Sequence, residues 1–146
     1  MEAVIFIGIQ GTGKSTFYKE RFFDTHVRIN LDMLKSKHRQ EVLLRTCLEA
    51  KQSFVIDNTN VTAETRAPFI EQSKAAGFRV TGYYFRADVN AALERNRKRQ
   101  SAARVPDAAV FNMLKRLQPP RLEEGFDALF HVQINQTGEF EVREWK

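Results

Sequence analysis

One segment near the start of the sequence constrains the fold more than any other. It reads Gly8-Ile9-Gln10-Gly11-Thr12-Gly13-Lys14-Ser15. This octapeptide fits the pattern G-x-x-x-x-G-K-S/T without exception. The apolar run Val4–Ile7 precedes it, and a helical pattern over 16–23 follows it. A buried strand, a glycine-rich turn and a helix in this order predict a turn that binds phosphate groups through backbone N–H groups and the helix N-terminus.

Each residue type in this turn has a physical role toward a nucleotide. Glycines allow the backbone to curl tightly around phosphate oxygens. Lys14 is predicted to reach the β- and γ-phosphates, and Ser15 to supply a hydroxyl ligand to Mg²⁺. A glycine-rich turn without function is the alternative, which the strand-turn-helix setting disfavours. We therefore predict that the segment binds ATP through seven residues: Gly8, Gly11, Thr12, Gly13, Lys14, Ser15 and Thr16.

The rest of the chain alternates between strand-like and helical patterns. Strands are predicted over His26–Asn30, Ser53–Ile56 and Val80–Phe85, and two further alternating stretches, Leu129–Ile134 and Phe140–Val142, could extend the sheet. Helices are predicted over Met33–Lys51 and Thr62–Ala76, from Asp88 to about Gln100, and from Val105-Pro106-Asp107 onward. This alternation predicts an α/β fold: a P-loop NTPase of the kinase type, a three-layer sandwich with a central, mostly parallel sheet and a basic lid. At 146 residues, we expect a single domain over 1–146.

Composition excludes several classes of protein. Hydrophobic residues at 42% and charged residues at 28% are ordinary for a globular chain and exclude collagen-like or disordered sequences. The single cysteine, Cys47, rules out an internal disulfide and fits a reducing, cytoplasmic location. The first apolar run is too short for a signal or membrane helix, so no membrane partner is expected. The net charge of +5 favours polyanionic partners, although ordinary surface solubility explains it equally well.

Phosphoryl transfer also needs an acid for the metal shell and a base for the acceptor hydroxyl. The apolar strand Phe54–Ile56 ends at Asp57, which is the Walker B arrangement, and Asp57 is predicted to bind Mg²⁺ together with Ser15. Asp32 follows the second strand, at the carboxyl edge where open α/β sheets bind ligands, and is predicted to be the general base. Structural roles stay open for both: a turn cap for Asp57 and a helix cap for Asp32.

Two basic clusters accompany these acids. The first contains Arg95, Arg97, Lys98, Arg99 and Arg104. Within it, Arg95 and Arg99 lie one helical turn apart and are predicted to form a lid that neutralises charge on the transferred group and excludes water. The second follows Asp32 and contains Lys35, Lys37, His38 and Arg39, where an anionic acceptor would lie. Either cluster could instead be a solvated charged face.

An ordered set of motifs supports a family resemblance over nearly the whole chain. It consists of Gly8–Thr16, Asn30-Leu31-Asp32, Asp57-Asn58-Thr59-Asn60, Arg95-Asn96-Arg97, Val105-Pro106 and Pro119–Phe126. In these motifs the chain resembles the kinase module of the 5′-hydroxyl polynucleotide kinases. The resemblance implies that Asp32 is the general base and that Arg99 contacts the phosphoryl group. Leu31 stands where the family usually has arginine, and Lys35 stands where a family member has an arginine that contacts the acceptor phosphate.

The leading hypothesis is therefore a kinase that uses ATP and Mg²⁺ to phosphorylate 5′-hydroxyl ends of DNA or RNA. The predicted catalytic residues are Asp32, Lys14 and Arg99, and the predicted acceptor-binding residues are Lys35, Arg39 and Asn60. A kinase of a small molecule, such as a nucleoside, sugar or toxin-type kinase, shares the same turn and lid. A nucleotide-dependent switch or AAA-type ATPase is a third hypothesis. The chain lacks an Asp-x-Asp-x-Thr phosphatase signature and a ligase-type lysine motif, so we expect separate phosphatase or ligase partners to supply those activities.

Overall fold

The computed structural model describes residues 1–98 and 106–145, and within these ranges six strands form one sheet. The strands are β1 (Glu2–Ile7), β2 (Val27–Ile29), β3 (Phe54–Ile56), β4 (Arg79–Phe85), β5 (Ala128–Ile134) and β6 (Phe140–Glu144). Their order across the sheet is β2-β3-β1-β4-β5-β6. Neighbours from β2 to β5 pair in parallel, and β6 pairs antiparallel with β5. The mostly parallel sheet is confirmed, and the last two alternating stretches extend it.

The helices connect these strands. They are α1 (Lys14–Arg21), α2 (Leu31–Leu34), α3 (Lys37–Ala50), α4 (Ala63–Ala75), α5 (Val89–Lys98) and α6 (Asp107–Arg116), with a short 3-10 helix over Leu122–Glu124. The predicted cap at Asp88 is confirmed, because its Oδ1 accepts a hydrogen bond from the N–H of Ala91 at 3.1 Å. No helix in the described ranges is both long and apolar enough to cross a membrane.

The single helix predicted over Met33–Lys51 is wrong, because the chain breaks it into α2 and α3. Lys35 adopts a left-handed conformation with φ of 72°, which ends α2. The Ser36 side chain then accepts a hydrogen bond from the N–H of Arg39 at 3.2 Å and caps α3. The spacing of apolar residues in α3 predicted a helix, and the capping residue Ser36 was not recognised as its start.

The sheet buries both faces, because side chains alternate along each strand. On one face, Ile5, Ile29 and Ile56 belong to a core that includes residues of α3 and α4: Leu44, Cys47, Phe69 and Ile70. On the other face, Val4, Phe6 and Val55 pack with residues of α1: Phe17, Tyr18 and Phe22. This arrangement confirms the three predicted layers. Cys47 is a core residue, and burial raises the pKa of its thiol.

The parallel register brings three chain segments to one edge of the sheet. Ile5 lies opposite Ile56, and Ile29 lies opposite Ile56 on the other side of β3. Because β1, β2 and β3 run in the same direction, the segments that follow them leave the sheet at the same edge. Those segments are the glycine-rich turn, the Asn30–Asp32 segment and the segment that begins at Asp57.

Candidate active site

Two glycines of the phosphate turn occupy positions where a side chain would be crowded. Gly13, the N-cap residue of α1, has φ of 90°, and a Cβ there would lie 3.1 Å from side-chain atoms of Ile134 and Phe140. A Cβ at Gly8 would lie 3.0 Å from Phe85 Cβ. The backbone conformation at Gly13 and the close packing at both positions therefore account for the glycines.

Lys14 curls back over the phosphate turn. Its Nζ donates hydrogen bonds to the carbonyl oxygens of Gly8 and Ile9, at 2.9 and 2.8 Å. Thr12 Oγ1 donates to the same Ile9 carbonyl at 2.9 Å and is also buried. Because α1 begins at Lys14, the partly positive end of this helix coincides with the turn, and Thr16 lies exposed in its first helical turn. The segment thus presents an ammonium group and a helix N-terminus at one place, which suits an anion.

The two predicted metal ligands lie together. Ser15 Oγ donates a hydrogen bond to Asp57 Oδ2 at 3.2 Å, and Asp57 is only 2% exposed at the end of β3. A hydroxyl and a carboxylate are the hard oxygen ligands that Mg²⁺ prefers, with phosphate oxygens and water completing its shell. Elsewhere in the described ranges, no group of three or more His, Cys, Asp or Glu side chains is arranged to hold a metal. The pair fits Mg²⁺ as part of a shell rather than as a complete protein cage.

Arg28 is a site residue that the sequence reasoning missed. It is the middle residue of β2, and its Nε donates to Asp57 Oδ2 at 2.8 Å while its Nη2 donates to Ser15 Oγ at 3.0 Å. The sequence feature that could have revealed Arg28 is its charge, since the other two residues of this short strand are apolar. Its partner could not be read from the sequence, because Asp57 lies on the neighbouring strand.

Asp32 is exposed in α2, and its segment is fastened to the end of β3. Asn30 caps α2 through its Oδ1, which accepts from the N–H of Met33 at 2.8 Å, so the capping role considered for Asp32 belongs to Asn30. The Asn30 Nδ2 donates to the carbonyl of Asp57. Among the described residues, no side chain forms a hydrogen bond or ion pair with the Asp32 carboxylate, which leaves it available to an incoming group.

The predicted acceptor residues occupy different environments. Lys35 and Arg39 are exposed close to Asp32 in the chain, and Arg39 Nη1 donates to the Leu34 carbonyl at 3.1 Å. Asn60 is only 2% exposed, and its Nδ2 donates to the carbonyl of Phe6 on β1 at 2.8 Å. The Asn60 side chain therefore braces β1 from the protein interior and does not lie on the surface where an acceptor would bind.

The described part of the lid contacts the phosphate turn. Arg95 Nη1, on α5, donates to the carbonyl of Gly11 at 2.9 Å. Arg97 forms an ion pair of 3.0 Å with Asp107, which joins α5 to the start of α6. Lys98 pairs with Glu94 on the same helix, and Arg99 and Arg104 lie outside the described residues. Among the described members of the basic cluster, Arg95 is the one that contacts the predicted ATP site.

A cavity of about 340 Å³ lies between the phosphate turn and the carboxyl ends of β4 and β5. It is lined by Thr12, Arg86, Ala87, Asp88, Ala91, Arg95, Gln133 and Ile134. Its volume falls within the range of small-molecule pockets, and its position next to Thr12 suits the base and sugar of a nucleotide. Thr12 and Arg95 were predicted to bind ATP, but the sequence gave no sign of the cavity itself, because its lining comes from three separate segments.

The strand order, the phosphate turn and the Ser15–Asp57 pair define a P-loop NTPase fold. The model of a family described as AAA domain matches residues 4–120, which is most of the chain, and the chain belongs to this family. P-loop NTPases bind nucleoside triphosphates at this turn and typically use Mg²⁺.

Two curated relatives carry kinase names. The chain is 27% identical over 144 residues to the bifunctional polynucleotide phosphatase/kinase of Schizosaccharomyces pombe, covering 96% of this chain and 35% of the relative. It is 22% identical over 161 residues to the L-seryl-tRNA(Sec) kinase of Methanococcus maripaludis, covering 97% of this chain and 62% of the relative. The chain therefore spans about a third of the first relative and less than two thirds of the second.

Two solved structures share the fold. One is Kti12 of Chaetomium thermophilum in complex with ADP-AlF3, with a TM-score of 0.64 and 17% identity, covering 93% of this chain and 92% of that one. The other comes from the PezAT chromosomal toxin-antitoxin system of Streptococcus pneumoniae, with a TM-score of 0.70 and 16% identity, covering 95% of this chain and 70% of that one. At such identities the likeness establishes the fold alone.

Proposed function

We propose that this kinase transfers the γ-phosphoryl group of ATP to the 5′-hydroxyl end of DNA or RNA, with Mg²⁺ as cofactor. The observation that carries the proposal is the exposed Asp32 carboxylate, which pairs with no side chain in the described ranges. It is fastened beside the metal-ligand strand and followed by an exposed basic surface. The likeness to the Schizosaccharomyces pombe relative, which is named for a polynucleotide kinase activity, supports this choice of acceptor.

The donor side uses the phosphate turn. Lys14 leaves the carbonyl oxygens of the turn and binds the β- and γ-phosphates, and the N-terminus of α1 adds its positive potential. Arg95 contributes a guanidinium from α5, and the cavity beside Thr12 receives the base and sugar. Ser15 and Asp57 would hold Mg²⁺, which would supply positive charge against the phosphate oxygens.

On the acceptor side, Asp32 accepts the proton of the 5′-hydroxyl group. As the oxygen of that hydroxyl forms a bond to the γ-phosphorus, the bond from the γ-phosphorus to the bridging oxygen breaks, and ADP leaves with the electron pair. The hydrogen bond from Asn30 to the Asp57 carbonyl keeps the base close to the donor side. Arg99 stays a predicted contact of the transferred group.

The nucleic acid itself is held by charge. Lys35, Lys37 and Arg39 are exposed at the junction of α2 and α3, immediately after Asp32. Cations at such a surface attract the phosphate backbone and make the affinity dependent on salt. Lys35 contributes a point charge without the bidentate fork of an arginine, so this surface selects an anionic chain more than a particular phosphate geometry.

The alternative kinase functions differ only in the acceptor. A kinase of a free nucleoside or sugar uses the same turn, base and lid. The Methanococcus maripaludis relative, named L-seryl-tRNA(Sec) kinase, favours a second candidate: a hydroxyl group carried at the end of a tRNA.

The test compares acceptors side by side. The protein is incubated with Mg²⁺, γ-labelled ATP and one of five acceptors: 5′-hydroxyl DNA, 5′-hydroxyl RNA, the same strands already 5′-phosphorylated, free nucleosides, or seryl-tRNA. We expect label on the 5′-hydroxyl strands and none on the phosphorylated ones. The Lys14→Ala variant, prepared in parallel, should show no transfer and so exclude a contaminating kinase. Label only on nucleosides or seryl-tRNA, or only on free phosphate, would overturn the acceptor assignment.

A further inference from the structure

The two predicted Mg²⁺ ligands, Ser15 and Asp57, already contact a positively charged side chain of the protein. The Asp57 side chain is 1% exposed, and a carboxylate so deeply buried is costly without a positive partner. Arg28 provides that partner through its Nε, which lies 2.8 Å from Asp57 Oδ2. Its Nη2 at the same time donates to Ser15 Oγ at 3.0 Å. One guanidinium therefore contacts both predicted Mg²⁺ ligands.

A metal ion and this guanidinium would compete for the same atoms. Mg²⁺ binds its ligand oxygens at about 2.0–2.1 Å and tolerates little distortion of its octahedral shell. Arg28 engages Asp57 Oδ2, the oxygen that also faces Ser15 Oγ at 3.2 Å. Two positive charges within a few ångströms also repel each other strongly in a partly buried site. The pair cannot serve both cations fully at once.

Arg28 has room to leave the pair. β2 is the edge strand of the sheet, and the Arg28 side chain is 26% exposed. Its Nη1 already reaches the sulfur of Met33 on α2 at 3.8 Å, and Met33 is half exposed. A long arginine side chain can therefore turn toward α2 and solvent while its strand stays in place.

We propose that Arg28 is a resident cation at the metal position, which weakens divalent-metal binding in the nucleotide-free protein and moves off Ser15 and Asp57 when metal and nucleotide bind together. The phosphates of the nucleotide supply the extra negative charge and ligand oxygens that the pair lacks. Metal binding is thereby coupled to nucleotide binding, and the coupling is reciprocal. The inference concerns the donor site and does not depend on which acceptor is phosphorylated.

The first test measures Mn²⁺ binding without nucleotide, by electron paramagnetic resonance, in the wild-type protein and in Arg28→Gln. We expect Arg28→Gln to bind Mn²⁺ at least about tenfold more tightly, a change that corresponds to about 1.4 kcal/mol. Arg28→Lys, which keeps the charge, should stay closer to the wild-type affinity. The matched control is Arg79→Gln, which removes the same charge from an exposed position at the start of β4, away from the carboxyl ends of the parallel strands where Ser15 and Asp57 lie. Equal or weaker Mn²⁺ binding by Arg28→Gln than by Arg79→Gln would overturn the proposal.

Thermal unfolding adds a readout that is independent of activity. In a chelator, Arg28→Gln should unfold at a lower temperature than the wild type, because Asp57 has lost its cation. Added Mg²⁺ should raise the Tm of Arg28→Gln and hardly change that of the wild type. A wild-type Tm that rises with Mg²⁺ as much as that of the variant would contradict the proposal.

If Arg28→Gln does not fold, NMR spectra of the wild-type protein test the proposal instead. In nitrogen-15 NMR spectra, the Nε–H resonance of Arg28, assigned through Arg28→Lys, should stay in place when Mg²⁺ alone is added. It should shift when Mg²⁺ is added with a non-hydrolysable ATP analogue, because the guanidinium then leaves Asp57. If this resonance shifts with neither Mg²⁺ alone nor Mg²⁺ and the analogue together, the proposal is wrong.

Discussion

Asn58 Oδ1 accepts a hydrogen bond of 2.8 Å from the backbone N–H of Leu31. Asn58 follows Asp57 at the end of β3, and Leu31 precedes Asp32 at the start of α2. The other end of the same amide, Nδ2, donates to Gln40 Oε1 on α3 at 2.8 Å. One side chain thus links the metal-ligand strand, the segment of the proposed base and the helix that carries Lys37 and Arg39 of the basic surface.

We expect Asn58→Ala to lower kcat without weakening ATP binding. Without this amide, the Asp32 segment loses an anchor to β3, and a misplacement of about 1 Å can cost about a hundredfold in rate. The measurement is kcat with the labelled acceptor together with the Kd for ATP. Gln40→Ala, which removes the other partner of Asn58 but leaves the bond to Leu31, is the control and should change kcat far less. An equal loss in both variants would show that the link to α3 is the important one.

Asp32→Asn should abolish transfer and leave ATP affinity nearly unchanged, because the base acts on the acceptor hydroxyl and not on the nucleotide. General-base catalysis contributes about 10²–10⁴-fold, so kcat should fall by that order. Single-turnover kinetics and ATP titration measure the two effects separately. Asp24→Asn, an exposed acid in the loop between α1 and β2, serves as the charge-matched control. Full activity of Asp32→Asn would refute the assignment.

The hydrogen bonds of the Glu2 side chain, at the start of β1, should make the stability of the protein depend on pH. Glu2 Oε1 lies 2.9 Å from His26 Nε2, and Thr81 Oγ1 donates to Glu2 Oε2 at 2.9 Å. The hydrogen bond with His26, and then that with Thr81, hold the pKa of Glu2 below its usual value of 4.5. Because the folded-state pKa is lowered, this stabilisation is present above pH 4.5 and is lost as the pH falls through the lowered pKa.

Glu2→Gln should therefore reduce the Tm at neutral pH, by the equivalent of about 1 kcal/mol for the weakened hydrogen bonds. The difference from the wild type should shrink as the pH falls below 4.5. Thermal unfolding over a series of pH values measures this, with Glu20→Gln, an exposed residue of α1, as the control. A difference that is constant at every pH would contradict the predicted linkage.

A buried ion pair fastens α4 to the short 3-10 helix. The Arg66 side chain is fully buried, its Nε and Nη2 donate to the two carboxylate oxygens of Glu124 at 2.8 and 3.0 Å, and its Nη1 donates to the carbonyl of Asn60 at 2.8 Å. Arg66→Ala leaves these groups unpaired in the interior and should cost about 3–5 kcal/mol of unfolding free energy. Urea denaturation measures this cost. Arg121→Ala removes an exposed pair with Glu123 and should cost less than about 1 kcal/mol.

Patterns that are local in the chain allowed correct predictions. The phosphate turn over Gly8–Ser15 is defined by glycines, where a side chain would be crowded at Gly8 and both crowded and strained at Gly13, and such requirements are visible in sequence order. The end of β3 was equally evident, because an apolar run that stops at the polar Asp57 marks where a buried strand leaves the sheet. Placing Ser15 beside Asp57 then needed only the rule that parallel strands present their carboxyl ends together.

Predictions that depended on distant partners were incomplete. The break at Lys35 was missed because the apolar spacing that predicted the helix lies within α3 and carries no information about its start. The side chain of Asn60 faces the interior because β1 supplies its hydrogen-bond acceptor. The sequence by itself determined the phosphate turn, the parallel α/β sheet and the acids at its edge, since each follows from neighbouring residues. Only the tertiary structure decided that Arg28 meets Ser15 and Asp57, because that contact joins β2, α1 and β3. Such a contact depends on strand order and side-chain direction, which no run of consecutive residues encodes.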